Sequence, residues 1–164
     1  MVYGSDIMKY LRQIILFLVG FCLYITIEVC FRGFSYPLMG FCGGIIFLII
    51  DSLNNRISWD LDLLLQGCIG SFVITTFEFV IGGIFLLCNY SPMWDYSDMP
   101  WNFHGIICLP FSLIWIAVSI LGIFVADAIN YYVFGKLPVP YYRLFGKIIF
   151  QFPWLTRKLV YAIL

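Results

Sequence analysis

The sequence predicts an all-α integral membrane protein, a four-helix bundle followed by a C-terminal interfacial segment, and three observations carry that reading. Hydrophobic residues make up 63% of the chain and charged residues only 11%, whereas ordinary soluble domains carry about 25% charged residues. Mean hydropathy is +0.99. Four apolar runs approach or exceed the roughly 20 residues that cross a bilayer as a helix. A soluble domain of 164 residues could not cover so much apolar surface. The expected partner is therefore the lipid bilayer, and a net charge of zero gives no reason to expect nucleic acid.

The runs lie at residues 11–31, 37–53, 61–88 and 106–134, so residues 1–134 form the transmembrane domain and 135–164 a cytoplasmic tail. The first run follows Lys9 and Arg12 as a signal peptide would, but it exceeds a normal h-region and no small-x-small site follows it. Phe21 before Cys22 also departs from a lipobox. An uncleaved helix is expected. The second run is the shortest and offers Gly40 and Gly44 in a G-x-x-x-G spacing. Along the third, Gly67, Ser71, Thr75, Glu78 and Gly82 recur at steps of four and three, a face of small and polar residues suited to close helix packing. The fourth offers Ser112, Ser119, Gly122 and Ala126.

In the tail, Pro138, Pro140 and Pro153 divide the chain into short pieces. Arg143 and Lys147, near Ile148, Ile149, Phe150 and Phe152, suit a segment lying on an anionic inner leaflet. Asp51 and Asp127, near the inner ends of helices two and four, are expected to pair with Arg56 or Lys136 or to reach water.

Basic residues set the orientation. Lys9, Arg12, Arg56, Lys136, Arg143, Lys147, Arg157 and Lys158 fall on one side, and Arg32 alone on the other. The positive-inside rule puts both termini in the cytoplasm of a multi-pass cell-membrane protein. The six cysteines are scattered without C-x-x-C spacing and His104 is the single histidine. Neither metal nor any other cofactor is expected, and the thiols read as small packing groups.

The charges inside the apolar runs are the functional signal. Residues 18–33 set over 68–83 match Gly20 with Gly70, Thr26 with Thr76, Glu28 with Glu78 and Gly33 with Gly83. This suggests a parallel two-helix internal repeat. An ionisable group on a membrane helix costs about 2.5–3.5 kcal/mol on insertion scales, so both acids should face inward with partners. Glu28 and Arg32 have the i, i+4 spacing of a helical ion pair, whereas Glu78 has no basic neighbour in sequence. Two acids and one base at one level leave either a shared proton or an unfilled cation site. The following loop, Cys88–Gly105, carries no basic residue. Tyr90, Trp94, Tyr96 and Trp101 suit the membrane interface, while Asp95, Asp98, Asn102 and His104 suit a polar lid over the acids.

Taken together, Glu28-x3-Arg32-x-Phe34-Ser35, Thr76-x-Glu78-x3-Gly82, Trp94-Asp95-Tyr96-Ser97 and Asn102-x2-Gly105 resemble the CmpB-like family, small multi-pass proteins labelled type IV ABC-transporter permeases. The resemblance spans residues 20–120 and adds Ser35 to the candidate site. Tyr36 and Ile106 depart from it, standing where histidine and glutamine are usual. It implies transport. The chain has no Walker A sequence, so any nucleotide would belong to a partner.

The expected site is Glu28, Arg32, Ser35, Glu78, Trp94, Asp95, Tyr96 and Asn102, facing outward in a transporter-like protein. A homodimer or a membrane partner is expected, since four helices enclose little volume. Two alternatives stay open: a membrane enzyme using paired acids on a lipid head group at the outer leaflet, and a non-catalytic subunit of a larger complex.

Overall fold

A computed structural model describes residues 2–54, 56–136 and 138–154. In order these form α1 (Val2–Arg32), α2 (Pro37–Asn54), α3 (Leu63–Leu87), β1 (Asn102–Phe103), β2 (Ile107–Cys108), α4 (Leu109–Ala128), β3 (Tyr141–Leu144) and β4 (Lys147–Gln151). Helix α4 continues through a π-helical turn, Ile129–Val133. The segments Asp6–Arg32, Leu63–Leu87 and Leu109–Val133 are long and apolar enough to cross a membrane, while Pro37–Leu53 is a shorter apolar helix. At 1.5 Å per residue, α2 measures about 27 Å, close to the thickness of the hydrocarbon core. Its position makes the shortness tolerable. It packs along α1 and against α3 and α4, and Met39, Cys42, Ile46, Phe47 and Ile50 are buried there.

The bundle consists of two helical hairpins, α1 with α2 and α3 with α4, joined chiefly where α2 meets α4. Small residues allow each hairpin to close. A Cβ on Gly44 would meet the Phe17 ring at 2.6 Å, and one on Gly40 would meet Phe21 at 2.6 Å. The G-x-x-x-G face of α2 is thus the seat of α1's aromatic rings. In the second hairpin a Cβ on Gly70 would meet Ser119 at 2.5 Å and one on Gly67 would meet Ile120 at 2.8 Å. Ser71 Oγ donates to the Ser112 carbonyl at 2.6 Å, and Thr75 and Ser112 hydroxyls lie 3.2 Å apart. The small and polar face of α3 therefore packs on α4.

The matched positions of the two odd-numbered helices keep some roles and lose others. Thr26 and Thr76 both bond back to the carbonyl four residues earlier, each at 2.7 Å. Gly20 faces α2 as Gly70 faces α4. Gly33, however, ends α1 at φ +83 with its N–H bonded to Val29 O at 2.9 Å, a left-handed cap suited to glycine. Gly83 lies inside α3.

Two boundaries differ from expectation for physical reasons. Helix α4 starts at Leu109 because Ile107 and Cys108 pair with Phe103 and Asn102 in a small antiparallel ladder. The tail forms a hairpin, with Tyr141 opposite Gln151 and Leu144 opposite Lys147. Its two-residue turn, Phe145-Gly146, has φ +50 and +76, the positive pair that such turns require. The hairpin docks through Tyr142, only 1% exposed, whose ring lies 4.1 Å from that of Phe124. Arg143 reaches Asp60 at 3.2 Å, and Asp62, the N-cap of α3, accepts from Phe145 N–H at 2.6 Å. Arg157 and Lys158 lie outside the described residues.

Asp51 and Asp127 take partners beyond the expected Lys136, and Asp51 is met by Arg12 of α1. Among the described residues, Asp51 accepts from Arg12 of α1 at 2.9 Å and from Asn130 Nδ2 at 2.6 Å, rather than from Arg56. Asp127 accepts from the Tyr142 hydroxyl at 2.7 Å. Lys136 lies within electrostatic reach of both acids. The cause is geometric: the antiparallel hairpin brings Arg12 level with Asp51, on the same side of the bundle. All six cysteines are free thiols.

The packing gives a direct test. Gly70→Leu should cost about 1–3 kcal/mol through overpacking and lower the thermal midpoint of the purified protein in detergent. Gly83→Ala, with nothing within 4 Å of the added Cβ, should leave that midpoint unchanged or raise it slightly. Equal effects from the two would show that the α3–α4 contact does not depend on glycine.

Candidate functional site

The last turn of α1 presents Glu28 and Arg32 on one face. Arg32 Nη2 lies 2.9 Å from Glu28 Oε1, an ion pair without a well-aligned hydrogen bond. Ser35, just past the Gly33 cap, donates its hydroxyl to Glu28 Oε2. Arg32 also donates from Nη1 to the Met93 carbonyl at 2.5 Å and from Nε to the Phe34 carbonyl at 3.3 Å. Its guanidinium lies 4.8 Å from the centre of the Phe34 ring and 5.6 Å from that of Tyr36. Arg32 thus fastens the end of one hairpin to the connecting loop of the other.

Glu78 has a different setting. It is 5% exposed and accepts two neutral donors, the Tyr96 hydroxyl at 2.9 Å and the Trp115 indole N–H at 3.1 Å. Tyr96 comes from the α3–α4 loop and Trp115 from α4, so the carboxylate ties three segments together. Burial, and then the nearby Glu78 charge, push the Tyr96 phenol far above its ordinary value, which keeps it a donor. Its ring stacks on Phe111 at 4.6 Å.

The loop is built by its own polar residues. Asp95 Oδ1 accepts from Ser97 Oγ at 2.6 Å and Ser97 N–H at 2.8 Å, bonds that hold its carboxyl below the usual range. Asn102 donates to the carbonyls of Ser97 and Met99 and accepts from Gly105 N–H at 3.1 Å. Gly105 has φ +69, and a Cβ there would meet Ser97 Oγ at 2.6 Å. Trp94 donates its indole N–H to the Ile106 carbonyl at 2.8 Å. The paired motifs Trp-Asp-Tyr-Ser and Asn-x2-Gly therefore make one braced loop that delivers the Tyr96 hydroxyl to Glu78.

Glu28, Arg32, Trp94, Asp95 and Tyr96 line one cavity of about 440 Å³ between the Glu28 end of α1 and α4. The other three expected residues are close by but do not line it. Ser35 is behind Glu28, Glu78 is behind Tyr96 and Trp115, and Asn102 braces the loop. Sequence reasoning missed Tyr24, Phe31, Phe111 and Trp115, which form much of the wall. Trp115 carried a usable signal, because a tryptophan well inside an apolar helix still needs an acceptor for its N–H. A second cavity of about 370 Å³ extends along α1 and α4 from the shared residues Tyr24, Ile27, Trp115 and Val118 to Gly122 and Val125. Its lining is apolar. Among the described residues no cluster of His, Cys, Asp and Glu could hold a metal ion.

Removing one donor from a buried carboxylate costs about 1–3 kcal/mol. Tyr96→Phe should therefore lower the thermal midpoint in detergent, and in a Glu78→Leu background the same change should have much less effect. An additive double-mutant cycle would show that the Tyr96–Glu78 bond does not secure the loop.

No curated protein and no solved structure matches the chain. The family described as "Putative ABC-transporter type IV" matches residues 15–155, which takes in α1 from residue 15, the whole of α2, α3 and α4, the braced loop and the tail hairpin, and the chain belongs to that family.

Proposed function

We propose that the chain is a multi-pass, permease-type protein of the cell membrane whose Glu28–Arg32–Glu78 site faces outward and receives the transported solute. The observation that carries this reading is the cavity of about 440 Å³ at the Glu28 end, walled by ionisable and aromatic side chains and covered by the braced loop. Both termini are cytoplasmic in this reading, since the basic residues gather at the opposite end. The tail hairpin lies against the inner leaflet, where Lys147 meets anionic head groups and the exposed Phe145 and Ile149 enter the interface, while Arg143 pairs with Asp60. The chain contains no nucleotide motif, so energy coupling through ATP belongs to a partner protein, and assembly with that partner or a second copy completes the path.

The separate bonding of the two acids disfavours the enzymatic alternative. Glu28 is bonded to Ser35 and Arg32 and Glu78 to Tyr96 and Trp115. Neither is set with a free edge toward the other, as paired acid–base work needs.

Cysteine accessibility tests this reading. In a cysteine-free background, Asp98→Cys in the loop and Ile114→Cys in the cavity wall should both react with a membrane-impermeant thiol reagent added to intact cells. Labelling of Asp98→Cys only after permeabilisation would reverse the orientation. An unreactive Ile114→Cys beside a reactive Asp98→Cys would show that no aqueous path reaches the cavity.

A further inference from the structure

The charge and wall chemistry of the cavity specify a class of ligand. Two carboxylates, Glu28 and Asp95, and one guanidinium, Arg32, line it. Arg32 is largely committed: its Nε and Nη1 donate to the carbonyls of Phe34 and Met93, and its Nη2 is ion-paired with Glu28 without a hydrogen bond. An incoming anion would find the one guanidinium already neutralised by Glu28 and two acids to repel it. Asp95, held ionised by Ser97 at the exposed mouth, adds negative charge that nothing in the wall cancels. Glu78 lies just behind the Tyr96 and Trp115 rings.

The wall supplies the second half of the recognition. Phe31 meets Phe111 edge to face at 5.6 Å, Phe111 stacks on Tyr96 at 4.6 Å, and Phe111 lies 6.3 Å from Trp115. A continuous aromatic surface beside carboxylates is the setting in which a cation gains from ring quadrupoles as well as charge, by about 0.5–2 kcal/mol per favourable ring. The apolar cavity that continues from this wall toward Gly122 calls for an apolar body. A small hydrated cation would leave it empty, and a zwitterionic lipid head group would set its phosphate against Glu28 and Asp95.

Resting on the permease reading above, we infer that the solute is a lipophilic organic monocation. Its ammonium- or phosphonium-type centre lies against Glu28 and Asp95 within the aromatic wall, and its apolar body extends along α1 and α4.

The test uses the purified full chain in detergent and two probes of the same shape and opposite charge, tetraphenylphosphonium and tetraphenylborate. Equilibrium dialysis should give saturable phosphonium binding, with the borate at least about tenfold weaker. Glu28→Gln should weaken phosphonium binding by about tenfold or more. Asp95→Asn, whose amide oxygen can still accept both bonds from Ser97, should weaken it by a smaller factor. Val118→Trp, which fills the junction of the two cavities, should abolish it while the variant still elutes as a single species. Borate binding as tight as phosphonium, or phosphonium binding unchanged in Val118→Trp, would overturn the inference. If Ile114→Cys is water-accessible and phosphonium does not bind, the substrate class is wrong and the permease reading stands. If Ile114→Cys is inaccessible, both fall.

Discussion

A group that can ionise or hydrogen-bond inside hydrocarbon must bring its own partner, and in this bundle the partners come from other segments of the chain. Glu78 of α3 is met by Tyr96 of the loop and Trp115 of α4. Arg32 of α1 reaches Met93 beyond α3. At the other end Asp51 of α2 is met by Arg12 of α1 and Asn130 after α4, and Asp127 by Tyr142 of the tail. Each buried acid is therefore a cross-link. Small-residue packing closes each hairpin, and the apolar contact of α2 with α4 joins one hairpin to the other. The polar clusters at the two ends add directed cross-links to that contact, and the gap left between α1 and α4 is the cavity. Loss of one partner from such a pair leaves a buried charge uncompensated, at about 3–5 kcal/mol. That penalty makes the cross-links specific as well as stabilising.

What the sequence disclosed followed the range of each signal. Composition and run length gave the helices, and spacing gave both the Gly40/Gly44 seat and the polar face of α3. The Glu28–Arg32 pair was legible because it is closed within one helical turn. Tyr96 and Trp94 were legible as interfacial aromatics, but the target of the Tyr96 hydroxyl lies 18 residues away and no periodicity encodes it. Arg12 and Asp51 are separated by 39 positions, and sequence spacing points instead to Arg56, five residues from Asp51. The tail hairpin was hidden for another reason. Its turn is Phe145-Gly146, without the asparagine or aspartate that usually announces two positive φ values, and its strands are too apolar to show alternation.

The two glutamates occupy matching sequence positions yet stand in opposite electrostatic settings. Glu28 has a cation beside it, a hydroxyl from Ser35, and a face in the cavity. Glu78 has, among the described residues, only neutral donors, and both of them are cavity-wall residues: Tyr96 and Trp115 each turn a ring toward the cavity and a polar tip toward the carboxylate. Filling the cavity and satisfying Glu78 are thus two demands on the same two side chains. A molecule that fits without moving the rings leaves the α3–loop–α4 cross-link intact. One that displaces either ring removes a bond from a carboxylate with no base in reserve, and the loop that this bond secures is also the cover of the cavity. The shape of the wall and the hold of the loop on Glu78 therefore depend on the same pair of side chains.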